Sequence, residues 1–267
     1  MNMRNIAIIG GTGIYNPGTF VDFKEEIIET PYGQAKVLRG EMAGNSVTFI
    51  TRHGVGHTTA PHKVNYRANI WALKFLRINE IFATTAVGSL NPEMTAGHFV
   101  VCDQILDFTK SRINTFFDSP KRGVAHVDFT FPYCPRLREK VIKCLNKTDI
   151  PFHKSGTYVT AEGPRFETAA EIKMFRMLGG DIVGMTNMPE AILAREAEIC
   201  YTNCSIVTNM GAGISPTPLS HKEVVEEMGK SIRNMEKLIL AFINANDSDE
   251  TQCNCGEALK EFGGFKL

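Results

Sequence analysis

The chain is expected to fold as one α/β domain, a central mostly parallel twisted sheet flanked by helices. Three observations predict this. Short apolar runs such as Ile6-Ala7-Ile8-Ile9 read as strands buried on both faces. Between them lie apolar stripes at helical spacing, bounded by caps, prolines and glycines. The 267 residues, 43% of them hydrophobic, suffice for one full core with no dividing linker. The domain therefore spans 1–267, with 247–267 read as a polar C-terminal tail that is mobile up to Phe262.

Taken in order, the Ile6 to Ile9 strand turns out through Gly10-Gly11-Thr12-Gly13, where glycines let backbone N–H groups approach an anion and the Thr12 hydroxyl adds a donor. A dinucleotide fingerprint would need glycine at position 16, which is Asn16, so the nicotinamide-cofactor reading is disfavoured. Val47 to Thr51 is the next strand, and it runs into Arg52-His53-Gly54-Val55-Gly56-His57. A guanidinium at a strand's carboxyl end suits bidentate recognition of phosphate. A zinc reading of His53, His57 and His62 fails, because glycine and proline keep the three off one helix face and no supporting carboxylate is near in sequence. Val64, Ala68, Trp71, Ala72 and Phe75 mark an amphipathic helix with Pro61 near its first turn, which makes Trp71 a core residue. Strands follow at Ile81 to Ala86 and Phe99 to Leu106, and then a long aromatic loop from Thr109 to Tyr133, of the length that is often functional.

Everything else is organised around Gly156 to Glu190. Thr157 to Thr160 is a strand stopped by Gly163-Pro164. Thr168 and Glu171 form a capping box for a helix carrying Ile172, Phe175 and Leu178, which ends at Gly179-Gly180. Ile182-Val183 opens the next strand and Pro189 the next helix. Two polar loops, 162–168 and 185–190, thus lie at carboxyl ends of strands, where ligands collect in parallel sheets. The last core strand is Cys204 to Asn209, and a loop of small residues leads to a second capping box, Ser220 to Glu223, and a final helix through Phe242.

Charge and cysteine content bound the partners. With 29 basic and 29 acidic residues there is no general field for nucleic acid or an anionic membrane. No apolar run reaches the roughly 20 residues that span a bilayer, and the first residues lack the apolar core of a signal peptide, so a cytoplasmic location is expected. The seven cysteines are an odd count set mostly in apolar segments (Cys102, Cys144, Cys200, Cys204), which suits buried reduced thiols; Cys253-Asn254-Cys255 stands apart in the tail.

Glu162-Gly163-Pro164-Arg165-Phe166-Glu167-Thr168 and Gly184-Met185-Thr186 resemble the purine-binding loop and ribose-contacting segment of the trimeric purine nucleoside phosphorylase and methylthioadenosine phosphorylase family, and the likeness runs from Ile6 to about Phe242. It implies a homotrimer without metal or organic cofactor, with a nucleoside and inorganic phosphate as substrates. It also implies a phosphate clamp of Thr12, Arg52, His53, Thr85, Ala86 and Thr186, and an apolar floor for the sugar at Met185, with Phe166 at the ribose and base. By the same resemblance the long loop reaches into a neighbouring subunit's site with His126. A Cys-x-Cys near the C-terminus also occurs in some thermophilic members, leaving Cys253 and Cys255 between a redox or intermolecular role and a plain surface pair.

Three positions separate the branches. Asn209 stands where the methylthioadenosine branch has aspartate, and an amide can donate to a 6-oxo group while accepting from N7–H. Glu167 stands where that branch usually has serine, and its carboxylate can accept from N1–H of a 6-oxopurine. His221 aligns with a valine of that branch and a histidine of the purine nucleoside branch, where it bonds the 5'-hydroxyl; at a helix start it should be neutral. Adjacent Arg52-His53, the 61–74 helix and His126 are nearer the methylthioadenosine branch. The reading is phosphorolysis of inosine or guanosine, carried by Asn209, Glu167 and His221, with methylthioinosine or methylthioadenosine phosphorylase as the alternative.

Overall fold

The computed structural model describes residues 3–11, 22–54, 56–215, 221–245 and 251–266, with backbone alone at 221–224. The expected α/β architecture is present, around one mixed sheet. Strand β1 (Asn5–Gly10) pairs in parallel with β4 (Asn45–Thr51) on one side and β5 (Glu80–Ser89) on the other. Beyond β4 lie β3 (Gly33–Met42) and β2 (Lys24–Thr30), an antiparallel extension. On its other edge β5 runs parallel to β11 (Cys200–Met210) for its whole length, while its last two residues meet β10 (Ile182–Gly184) antiparallel on the edge that β1 occupies at its start. β9 (Thr157–Ala161) and β7 (Gln104–Phe108) continue from β10 in parallel. β6 (Phe99–Val101) joins β11 antiparallel, with β8 (Phe152–His153) outside it.

Alternation along the strands builds two cores. In β1, Ile6 and Ile8 face one side of the sheet, while Ala7 and Ile9 face the other. The Ala7 side is covered by α1 (Tyr66–Phe75) and α4 (Asn187–Glu196), with Ile70, Trp71, Ala191 and Ala194 buried. The Ile6 side is covered by α2 (Pro135–Leu145) and α5 (His221–Asn244), with Leu137, Val141, Leu238 and Phe242 buried. The short α3 (Ala169–Met177) caps a third cluster through Ile172 and Phe175. Its capping box is formed as expected, Glu171 N donating to Thr168 Oγ1 at 3.2 Å and Thr168 N to Glu171 Oε2 at 2.7 Å. Among the described residues no helix is long and apolar enough to cross a membrane.

Three sequence expectations are corrected. Phe99 to Leu106 is two strands, because the chain leaves β11 after Val101 and Gln104 starts a new pairing with β9. Pro61 sits in a separate 3₁₀ turn, Pro61–Lys63, and α1 begins only after Asn65, whose side chain accepts from Ala68 N; Phe75 is exposed. Pro189 begins the regular part of α4 as expected, because Met188 before it has extended backbone angles and the residues ahead of it belong to a separate turn. The C-terminal segment 251–266 is docked: Cys255 and Leu259 are buried, Leu259 N and Phe265 N both donate to the Glu198 carboxylate, and the Phe265 ring meets Trp71 edge-on at 5.4 Å. The second capping box involves Ser220 and Glu223 and falls outside the described residues and side chains.

Candidate active site

The carboxyl ends of β4, β5, β10 and β11 surround a cleft of about 650 Å³. It brings together Arg52, His53, Thr85, Ala86, Phe166, Glu167, Met185, Thr186 and Asn209, nine of the residues singled out in the sequence. Thr12 lies outside the described residues, and of His221 only the backbone is described, at the start of α5, whose Val225, Met228 and Ile232 line one wall. His126 is exposed on the long loop and does not line the cleft of its own chain.

Local chain geometry sets each group. β5 and β11 keep register to Val87 and Val207, then shift so that Asn209 opposes Gly88, leaving Thr208 as an extra residue. Such a bulge re-aims the side chains beside it, here at the cleft mouth. The Thr208 hydroxyl donates to Asn209 Oδ1 at 2.8 Å, and Asn209 Nδ2 donates to Met210 O at 2.9 Å. Because a carbonyl can only accept, this pairing fixes which end of the amide is which, and one Nδ2 hydrogen and one Oδ1 lone pair are left for a ligand. Thr85 Oγ1 is tied at 2.8 Å to Ser205 Oγ on the adjoining strand. Thr186 lines the cleft with a hydroxyl that makes no capping bond, and the extended Met188 separates it from the regular helix that Pro189 begins.

The two polar loops meet where only glycine fits. Gly163 has φ of 64°, and a Cβ there would come within 2.5 Å of Met185 Sδ. The loops are then bound by Arg112, which sequence reasoning missed. Its Nη1 donates to Met185 O and Met188 O, each at 2.7 Å, and its Nη2 to Glu162 O at 2.6 Å. Glu162 pairs with Arg112 Nε at 3.3 Å and also accepts from Lys110 N and Ser111 Oγ. One cation in the 109–133 loop thus sets the spacing of both ligand loops.

Arg52 departs from the expected presentation. The Nε and Nη2 edge of its guanidinium grips Glu190, with Nε to Oε2 and Nη2 to Oε1 both 2.7 Å, and Nη1 donates to Thr84 O at 2.9 Å. Three of five N–H groups are engaged, so the fork is not free to take two phosphate oxygens on that edge. Burial disfavours the charge, but Glu190 more than restores it. Tyr201 OH donates to the same Glu190 at 2.9 Å. Glu190, also missed, carries the signature of an ordinary acid in a helix's first turn, and nothing in the sequence joins it to a residue 138 positions away.

His53 is pushed down to about 4 by burial and then by the Arg52 charge. It is therefore neutral, and since Nδ1 sits 2.8 Å from Thr59 O, Nδ1 carries the proton and Nε2 is left as an acceptor. Folding moves this pKa below its ordinary 6.5, so the unfolded chain binds the extra proton between the two values. Stability present above about pH 6.5 is accordingly lost as pH falls toward about 4, by up to roughly 3 kcal/mol at 1.36 kcal/mol per unit. Comparing urea midpoints at pH 7 and pH 5 for the natural chain and His53→Gln should show a shallower drop in the variant; equal slopes would remove His53 as the source.

A mixed sheet with helices on both faces and, at its strand ends, a largely apolar cleft set with a few polar side chains defines an α/β enzyme of the nucleoside phosphorylase fold. Residues 5–244 match the model of the phosphorylase superfamily, and the chain belongs to that family. It is 53% identical over 264 residues to the 6-oxopurine nucleoside phosphorylase of Pyrococcus furiosus, covering 97% of this chain and 98% of that one. It is 44% identical to the S-methyl-5'-thioadenosine phosphorylase of Thermofilum pendens, covering 98% and 99%. Among solved structures, a methylthioadenosine phosphorylase from an antarctic soil metagenomic library superposes with a TM-score of 0.89 at 37% identity, covering 98% of this chain and 92% of that one. The Schistosoma mansoni methylthioadenosine phosphorylase in complex with adenine superposes with a TM-score of 0.85 at 33% identity, covering 90% and 91%.

Proposed function

We propose that this chain is a cytoplasmic, homotrimeric 6-oxopurine nucleoside phosphorylase that converts inosine or guanosine and inorganic phosphate into free base and ribose 1-phosphate, with no cofactor in the chemistry. The observation that carries this reading is the oriented Asn209 amide sharing one cleft with Glu167. Its spare Nδ2 hydrogen suits O6, its spare Oδ1 lone pair suits N7–H, and Glu167 accepts from N1–H.

Phosphate is placed against the anomeric carbon by the remaining N–H groups of Arg52, the Thr85 and Thr186 hydroxyls, the Ala86 backbone and Thr12. The neutral His53 accepts, through Nε2, the one P–OH of the phosphate dianion. No covalent nucleophile is needed. Positioning phosphate beside the sugar can supply on the order of 7–11 kcal/mol at best, and its charge stabilises the cationic ribose over the Met185 floor. Phe166 flanks the base and sugar. Ile113, Val124 and Phe131 on the long loop are exposed, as are Met177 and Leu178 at the end of α3; surfaces of this kind support an interface between copies, through which His126 would enter a neighbour's cleft.

A second reading has its own observation. Val225, Met228 and Ile232 make the α5 wall apolar beside the backbone of His221, which favours a methylthio group at the 5' position over a hydroxyl. Product formation from inosine, guanosine, adenosine, methylthioinosine and methylthioadenosine, each with and without phosphate, tests both. Phosphate-dependent cleavage of inosine and guanosine supports the main reading, preference for methylthioinosine replaces the role of His221, and turnover without phosphate would end both.

Burial raises the Glu167 carboxyl above its ordinary range. Falling pH therefore protonates it earlier than a free carboxyl, and a protonated Glu167 can donate to N1 of adenine. The inosine-to-adenosine ratio of kcat/KM is expected to narrow as pH falls, and to become flat with pH in Glu167→Gln. A ratio that stays constant in the natural chain would detach Glu167 from base recognition.

A further inference from the structure

Cys134, Cys200, Cys253 and Cys255 come from three separate parts of the chain, yet their four Sγ atoms all lie within 4.8 Å of one another. Cys134 is the N-cap of α2 and its N–H donates to Tyr201 O at 2.8 Å; Cys200 opens β11; Cys255 opens the short turn Cys255–Glu257. Three of the four are buried and Cys253 is partly so, with Cys253 Sγ 3.5 Å from Cys200 Sγ. The expectation of a plain surface pair at 253 and 255 is thereby corrected. We propose that these four thiols form a closed tetrathiolate site for a thiophilic divalent cation, zinc or iron, that fastens the C-terminal segment to α2 and β11.

The argument is geometric. A metal with bonds of about 2.3 Å to four sulfurs in a tetrahedron holds them about 3.8 Å apart. Disulfides need closeness only within each pair and give no reason for two pairs to converge on one point, whereas here every sulfur is near every other. Binding replaces four S–H bonds by four metal–sulfur bonds and releases up to four protons to solvent, leaving a site of net charge −2. Arg136 Nη2 lies 3.5 Å from Cys200 Sγ and supplies an N–H and a positive charge there. With four protein ligands and no open position, the site is structural. It stands at the start of β11 while Asn209 stands at the end, about 30 Å away at roughly 3.3 Å per residue.

The test uses the full chain purified anaerobically without reductant or chelator, and its readout does not depend on which nucleoside is cleaved. Elemental analysis should find about one zinc or iron per chain. After removal of that metal, titration with cobalt(II) should produce the intense d–d and sulfur-to-cobalt absorption of a tetrahedral thiolate complex, saturating at one equivalent. The pair of changes Cys253→Ser and Cys255→Ser should lower occupancy at least tenfold with kcat/KM unchanged, and all seven thiols should react with Ellman's reagent in denaturant and chelator. Fewer reactive thiols, as disulfides would leave, overturns the proposal, and so does a natural chain that neither carries metal nor gives the cobalt spectrum.

Discussion

Asn209→Asp should lower kcat/KM for inosine by roughly 10²–10³-fold and raise it for adenosine. The amide now donates once to Met210 O and keeps a second hydrogen for the base. Aspartate offers no donor, so a 6-oxo group would face carboxylate lone pairs in a buried setting, a mismatch of about 3–4 kcal/mol. Adenine, with a 6-amino donor, meets an acceptor instead. The substitution also removes the Met210 bond, so the fold should be checked by thermal denaturation, and the result is best read as the ratio of two substrates on one protein. Unchanged selectivity would show that the bulge at Thr208 aims Asn209 at something other than the base.

How much of this site could be read from residues alone follows from the range of the forces that build it. The loops at strand ends were legible because glycine, proline and the Thr168 capping box act over a few residues. The aliphatic strands β1, β4, β5 and β11 were legible because burial on both faces leaves continuous apolar runs. Strand β2 was not, since Lys24–Thr30 alternates in exposure on a sheet edge but buries neither face, and Glu and Ile stand on both. Helix α2 carries Leu137, Val141, Cys144 and Leu145 at helical spacing behind Pro135, a pattern that the sequence does display. The long-range partners were invisible. Nothing local joins Arg52 to Glu190, Arg112 to the carbonyls of Met185 and Glu162, or Cys134 to Cys255, because each pairing is a product of strand order. The bulge is a similar case: the residue that reads the base was identifiable by type, while the backbone irregularity that points it had no signal in composition or periodicity.

Glu190→Ala should destabilise the protein by about 3–5 kcal/mol and raise the KM for phosphate more than the KM for nucleoside. Removing one partner leaves the Arg52 guanidinium buried without its carboxylate, which is the costly way to break a buried pair. It also frees the Nε and Nη2 edge that Glu190 now holds at 2.7 Å, so the cation can rotate away from the phosphate position. Arg52→Ala should raise the phosphate KM as well, while leaving a buried acid that can protonate and Tyr201 OH still able to donate to it. A double change, Arg52→Met with Glu190→Met, separates the two effects. Similar-sized apolar residues remove both charges, so stability should largely return while phosphate saturation does not. Denaturant midpoints and phosphate titrations on the natural chain and these three variants make the comparison. If the double variant recovered normal phosphate saturation, Arg52 would be a core ion pair and not part of the clamp. If Glu190→Ala left the phosphate KM unchanged, the carboxylate would hold the fold alone, and the orientation of Arg52 toward phosphate would have to come from Thr84 O.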